Sequence, residues 1–312
     1  MTQGAQELLG ALVTPWTDPG SRMFWGYLLG ALGVAMVASV ARGRGLFGEL
    51  RGALPGSVLR HRSTGLDVQL LLLRSLGGAL IVVPYTAATL GLMLAVSRGL
   101  NRELGPLPAD SLSAGAWTLA YSVVLFVSWD LSRYLLHRLL HTAPSLWALH
   151  QVHHSAQVLT PLTFFRTHPL ETLLYELRGV AVTGVVAGAF LHASGGAATQ
   201  LHLLGTGALG ALFNLLGGNL RHSAVWVSYG PRVERLLISP AQHQLHHELG
   251  GDRRNYGAWL AIWDWAGGSL RLAGPRRDLR FGLERSNHDP GDILSALVGP
   301  LRAWRRPLAL AA

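Results

Sequence analysis

The sequence predicts an all-α, multi-span helical integral membrane protein with a histidine-rich two-metal site at its cytoplasmic face. Three observations predict it. Hydrophobic residues make up 49% of the 312 residues, charged residues only 14%, and mean hydropathy is +0.29. Soluble domains carry about 25% charged residues, so a chain this poor in charge hides its apolar surface in a bilayer. Long apolar runs alternate with arginine-bearing loops, and eight of the 14 histidines fall into three compact clusters.

Residues 1–22 read as a polar, amphipathic leader with Pro15, Asp18 and Pro19, without the basic start and small-residue cleavage site of a signal peptide. Phe24–Ala41 is free of charge and long enough to cross a hydrocarbon core of about 30 Å. The loop after it carries Arg42, Arg44, Arg51, Arg60 and Arg62, which marks that side as cytoplasmic. A second apolar run, Val68–Val96, is long for one span and reads as tilted, or broken near Pro84. Residues 98–112, with Arg98, Asn101, Pro106, Pro108 and Asp110, read as an outer loop, and Ala114–Leu136 as a third span. Val180–Ala193 and Leu201–Leu216, joined by Ser194-Gly195-Gly196, read as a membrane hairpin. The tail from Gly291 to Leu310 reads as a basic amphipathic surface helix or a disordered end. Three regions result: 1–113 with the first spans and basic loop, 114–285 as the catalytic part, and 286–312 as the tail.

The net charge of +9 invites a nucleic-acid reading, but every basic residue is Arg and these cluster where a membrane protein keeps its cytoplasmic charge, so no nucleic-acid partner is expected. The absence of Cys excludes disulfides and thiolate ligands, which leaves His, Asp and Glu to hold any metal.

The histidine clusters are His137 and His141, then His150, His153 and His154, then His243, His246 and His247. Residues three and four apart share one helical face, so each cluster aims two or three imidazoles into one volume. Crowding that many rings without a cation would leave buried nitrogens unpaired or force like charges together. Eight ligands exceed what one metal takes, so the count asks for two metals. Neutral imidazole suits iron but also zinc, copper and nickel. Gly205-Thr206-Gly207-Ala208-Leu209-Gly210 matches a dinucleotide-binding pattern without the strand that should precede it, and small residues for close helix packing explain it and Gly184/Gly188 better.

Around these clusters the sequence resembles the fatty acid hydroxylase superfamily, also called the sterol desaturase family. The resemblance rests on Trp129-Asp130, Tyr134, His137-Arg138, His141, Leu146-Trp147, His150 and His153-His154-Ser155. It continues through Arg166, His168-Pro169-Leu170-Glu171, Ser239-Pro240, His243, His246-His247, Asn255-Tyr256-Gly257 and Ile262-Trp263-Asp264. It covers roughly residues 115–270. It implies a membrane-embedded di-iron oxygenase that hydroxylates or desaturates a lipid such as a fatty acyl chain or sterol. The eight clustered histidines would be metal ligands, with His222 as a further one, and His168 as either a ligand or a support. The family's usual second His after His222 is Ala224 here.

Asp130 lies seven residues before His137, two helical turns away, and is expected to orient that ring; Asn255, Glu171 and Asp264 are candidates for similar roles. His61, His192, His202 and His288 fall outside the pattern and read as structural or surface residues. The expected cofactors are two iron ions, with zinc as a possible substitute, supplied with electrons by a separate ferredoxin- or cytochrome-type donor. The alternatives are a zinc-dependent membrane hydrolase or lyase, or a non-catalytic metal-binding membrane protein.

Overall fold

The computed structural model describes residues 3–53, 55–107, 112–203, 206–250, 253–284 and 290–304. Pro108, Asp110, His288, Arg305 and Arg306 of the sequence reading lie outside them. The described chain is mostly helical, with almost no strand. Its helices are α1 (Gln3–Thr17), α2 (Trp25–Ala41), α3 (Gly48–Ala53), α4 (Gly56–Leu59), α5 (Arg62–Leu104), α6 (Ala114–Thr142), α7 (Pro144–His154) and α8 (Pro169–Ser194). They continue as α9 (Ala208–Leu215), α10 (Gly230–Val233), α11 (Pro240–His246), α12 (Ile262–Ala266) and α13 (Ile293–Trp304). Two 3-10 turns, Pro161–Phe165 and Gly218–His222, and a two-residue hairpin, His202–Leu203 with Thr206–Gly207, complete it.

Three long helices form the frame. At 1.5 Å per residue, α6 with 29 residues spans about 44 Å, and α8 with 26 spans about 39 Å. Both are long and apolar enough to cross a membrane. Their outer faces leave Leu119, Val123, Leu135, Leu173, Leu177 and Val185 uncovered, as suits helices surrounded by hydrocarbon rather than by protein. Local sequence sets their ends. Ser113 caps α6 by accepting from Ala116 N, His168 caps α8 ahead of Pro169, and Gly195 ends α8 in the left-handed conformation.

Helix α5 runs parallel to α8. Gly179, Gly184 and Gly188 lie against Tyr85, Leu92 and Met93–Val96 of α5. A Cβ on Gly184 would sit 2.8 Å from Leu92 Cγ, and one on Gly188 would sit 2.6 Å from the Met93 carbonyl oxygen. The small-residue spacing is thus a packing device, as its sequence suggested. Helix α6 runs antiparallel to both, so the start of α5, the end of α6 and the start of α8 meet at one end of the frame.

Several boundaries differ from the sequence reading. Helix α5 passes unbroken through Pro84 and continues to Leu104, so Arg98 and Asn101 are helical rather than looped. The leader contains α1, which packs on α5. The last proposed span is corrected: Leu201–Leu216 is not one helix but the small hairpin followed by the eight-residue α9. Glycines and polar residues break the helix there; the hairpin strand His202–Leu203 is exposed, and α9 packs on neighbouring helices. Gly30 of α2 lets the Leu215 carbonyl approach, and Phe213 stacks on Phe126 of α6. The segment still returns the chain from the Thr118 level of α6 to His222. The described part of the tail is helical: α13 lays Ala296, Ile293 and Leu297 against Leu66, Leu70 and Val152.

Candidate metal centre

Local chain geometry aims the histidines. His137 and His141 occupy the last two turns of α6. His150, His153 and His154 sit on α7, which Pro144 opens at its first turn. His243 and His246 sit on α11, fixed by a capping box in which Ser239 accepts from Gln242 N and Gln242 Oε1 accepts from Ser239 N. His247 closes that helix, and His222 ends the 3-10 turn that follows α9.

The fold brings nine imidazoles together in two adjacent groups. The first is His137, His141, His150, His154 and His246; the second is His153, His222, His243 and His247. Within each group one nitrogen per ring lies within 4.8 Å of every other. The groups abut, with the His154 and His247 rings 4.4 Å apart. The sequence clusters do not map onto these groups. Within α7, His150 and His154 join one group and His153 the other; His246 and His247 likewise part company.

Outer hydrogen bonds set the tautomers. His137 Nδ1 donates to the Tyr256 carbonyl at 2.7 Å, His246 Nδ1 to the Arg254 carbonyl at 2.8 Å, and His153 Nδ1 to the Arg166 carbonyl at 3.2 Å. His150 Nδ1 donates to Glu171 Oε1 at 2.8 Å. A carbonyl or carboxylate oxygen only accepts, so these rings carry their proton on Nδ1 and present a bare Nε2 inward.

The bare Nε2 atoms of His137 and His150 face each other at 3.2 Å. His222 Nε2 lies 3.2 Å from His247 Nε2 and 3.1 Å from His243 Nε2. Nε2 of His141, His154 and His246 is buried without a partner. Lone pairs aimed at one another with no proton between them repel. Two nitrogens bound to one cation at about 2.0–2.1 Å stand about 3 Å apart. The donor set therefore fits metal ions. Burial also keeps the rings neutral. It pushes His153, His154, His222, His243 and His247 well below the usual range, and neighbouring charged or ring groups add to this. Burial takes His246 down to about 3.

Two expected ligating or orienting residues are placed elsewhere. His168 joins neither group: its Nδ1 accepts from Leu170 N as the cap of α8, and its Nε2 meets the Leu297 carbonyl of α13 at 3.0 Å. Both nitrogens are occupied, so it supports the start of α8 rather than facing the centre. Asp130 does not orient His137. Its carboxylate accepts from Trp259 N, Leu260 N and Trp263 Nε1 at 2.9–3.0 Å, pinning the 259–263 segment.

Asn255 is also a positioning residue. It adopts φ +56°, which Asn tolerates better than most side chains. The carbonyls on either side of it, Arg254 and Tyr256, are those that hold His246 and His137. Its amide donates to the Gln242 and Arg271 carbonyls, tying this turn to α11. Asp264 supports the same turn by accepting from Tyr256 N and Gly257 N. Of the minor candidates, Glu171 alone bonds a ring directly.

Asp67 was missed in the sequence. Fully buried, it pairs with Arg166 Nε at 2.6 Å and accepts from Thr163 at 2.8 Å, fixing the residue whose carbonyl holds His153. It lies 99 residues from Arg166, and no local pattern announces such a pair. His61 and His192 are structural, as read: one caps α5 and the other bonds Asn101.

Comparison with known proteins agrees with the resemblance. Residues 122–269 match the family described as Fatty acid hydroxylase. Over 151 residues the chain is 32% identical to the ornithine lipid hydroxylase of Rhizobium tropici, a match covering 47% of this chain and 41% of that protein. It is 30% identical over 172 residues to the alkylglycerol monooxygenase of Homo sapiens, covering 53% of this chain and 32% of that protein. It is 26% identical over 151 residues to a very-long-chain aldehyde decarbonylase of Oryza sativa subsp. indica, covering 48% and 52%. The chain thus spans about a third to a half of the length of these relatives. No solved structure matches it.

Proposed function

Residues 122–269 form a fatty acid hydroxylase domain, and from that premise we propose that the protein is a membrane-bound di-iron enzyme that uses O2 to hydroxylate, or desaturate, a lipid. The observation that carries this reading is the pair of adjacent imidazole groups with inward-facing, unpartnered Nε2 atoms. All nine grouped histidines act as ligands. Iron held there would supply the oxidising power that an unactivated C–H bond demands.

The chain's own residues do the rest. Tyr256, Arg254 and Arg166 carbonyls and the Glu171 carboxylate fix ring tautomers. Burial of the rings keeps bulk water away from the reacting carbon. The centre lies where three long helices meet, so a lipid reaches it from the bilayer while electrons arrive from water. We place that end at the cytoplasmic face, from the arginine-rich loop, and expect a separate ferredoxin- or cytochrome-type donor to dock there. The hydroxylase and monooxygenase relatives support oxygen insertion over the other outcomes.

Lipid extracts of cells expressing wild type and His153→Ala under 18O2 test this by mass spectrometry. A wild-type-only lipid carrying the label is expected. A product lacking two hydrogens and unlabelled would mean desaturation. A purified protein holding zinc and no iron would sink the oxygenase reading.

A further inference from the structure

Beside the imidazole groups, on the side from which the long helices run into the bilayer, the protein gathers four arginines, of which only Arg74 has an ion pair among the described residues. Arg133 precedes His137 by one turn of α6, and Arg221 directly precedes His222. Arg221 is 5% exposed, and neither its guanidinium nor that of Arg133 has a hydrogen bond or ion pair among the described residues.

Aromatic rings support the cluster. The Arg133 guanidinium lies 5.2 Å from the Tyr175 ring centre and 5.9 Å from Trp129. Arg22 and Arg74 share the Phe164 ring, at 5.0 and 6.0 Å. Arg22 also donates to the Gly218 carbonyl in the turn that carries Arg221. Arg133 lies within electrostatic reach of Arg22, Arg74 and Arg221, and Arg22, Arg133 and Arg221 all bear on His222.

Acidic groups nearby balance these charges only in part. Glu176 pairs with Arg74 at 3.9 Å, Asp130 bonds three other donors and acts on Arg221 only at a distance, and Glu171 is engaged with His150. Keeping a guanidinium buried without a partner is expensive, and such a site is completed by an anion. Guanidinium groups match oxyanions in particular, phosphate and carboxylate above all. The helices that carry Arg133 and its Tyr175 partner, α6 and α8, also leave Leu135, Leu173 and Leu177 exposed, so the cationic cluster sits on helices that carry a hydrocarbon-facing surface.

We infer that Arg22, Arg74, Arg133 and Arg221 form an oxyanion site that grips the phosphate or carboxylate head of the lipid substrate beside the metal centre. The inference rests on the oxygenase reading for the word substrate; the binding site itself does not. One helical turn separates Arg133 from His137, so the gripped head would present carbons near it, rather than the far chain end, to the imidazole groups.

Calorimetric titration of the metal-loaded full chain in neutral detergent tests it, with dodecyl phosphate, dodecanoate, dodecanol and inorganic phosphate as probes. Dodecyl phosphate or dodecanoate should bind at least about tenfold more tightly than dodecanol, a difference of about 1.4 kcal/mol. That preference should shrink by roughly tenfold in Arg133→Gln and in Arg221→Gln. Arg133 is half-buried and makes no hydrogen bond among the described residues, so its variant keeps the test decisive if Arg221→Gln fails to fold.

Equal binding of dodecanol, or a preference that survives both substitutions, would overturn the site. Inorganic phosphate binding as tightly as dodecyl phosphate would assign the arginines to a free anion and overturn the lipid head. Headgroup preference with neither an 18O-labelled nor a desaturated lipid product would keep this site and remove the oxidative reading. Labelled lipid without headgroup preference would do the reverse.

Discussion

The two imidazole groups differ in how their rings are held. In the five-membered group, outside acceptors brace His137, His150 and His246, and one of these acceptors is the carboxylate of Glu171. In the four-membered group, His153 alone has such a brace among the described residues, and His222, His243 and His247 lean on one another through their Nε2 atoms. A braced ring keeps its tautomer and orientation when a cation leaves, whereas an unbraced one can swing. The first group is built as a rigid cage, while the second is completed by what it binds. We therefore expect metal to be held more tightly in the first group, and the second to empty first under a chelator.

Removing single rings breaks the comparison most severely. His246→Ala and His247→Ala differ by one position yet touch different groups. Each should lower lipid product by more than about 100-fold, beyond the 10–100-fold typical of outer partners. Metal analysis should find the second group still filled in His246→Ala and the first still filled in His247→Ala. Loss of both metals in each variant would erase the distinction between the groups.

Acidification should act on both groups together. Unfolded histidine titrates near 6.5, while burial holds the folded rings lower, His246 at about 3. Between those values the unfolded chain binds more protons, so stability of the metal-stripped protein should fall as pH drops from about 6.5 towards 3. Asp264, pushed up to about 6 by burial, works in the opposite sense but is one group against six rings. Thermal unfolding in detergent across this range checks the sign. A protein that becomes more stable in acid would contradict neutral, buried imidazoles.

Smaller changes sharpen the contrast. Glu171→Leu removes the carboxylate brace of His150 and should weaken metal in the first group about 10–100-fold. Glu171→Gln keeps an acceptor and should lose much less. Equal effects on both groups would show that the bracing is not local. His168→Ala should cost only about 1 kcal/mol, the worth of a helix cap, and leave the full metal content in place. A lost metal ion in that variant would return His168 to the ligands.

Much of this was legible in the chain itself. The histidine clusters and their shared helical faces followed from spacing, because residues three and four apart on a helix cannot avoid each other. The first and third apolar runs became α2 and α6 with small shifts at their ends. Leu201–Leu216 misled because hydropathy counts apolar side chains without testing whether glycines allow a continuous helix. Asp130 and His168 misled for another reason. A helical face or a neighbouring proline says which partners are near in sequence, but each of the two also has a decisive partner 129 residues away.

By itself, then, the sequence determined the helical class, the apolar frame and the identity of eight inward-facing rings, all consequences of local periodicity and side-chain chemistry, while the ninth, His222, was implied by the family resemblance. Only the tertiary structure decided how those rings divide. Adjacent residues on one helical turn point about 100° apart, so His153 and His154 meet different neighbours, and what they meet depends on where α6, α7, α11 and the 222 turn cross. It also decided which atoms brace them. The braces are mostly backbone carbonyls at Tyr256, Arg254 and Arg166, and every residue has a carbonyl, so only the path of the chain selects those three.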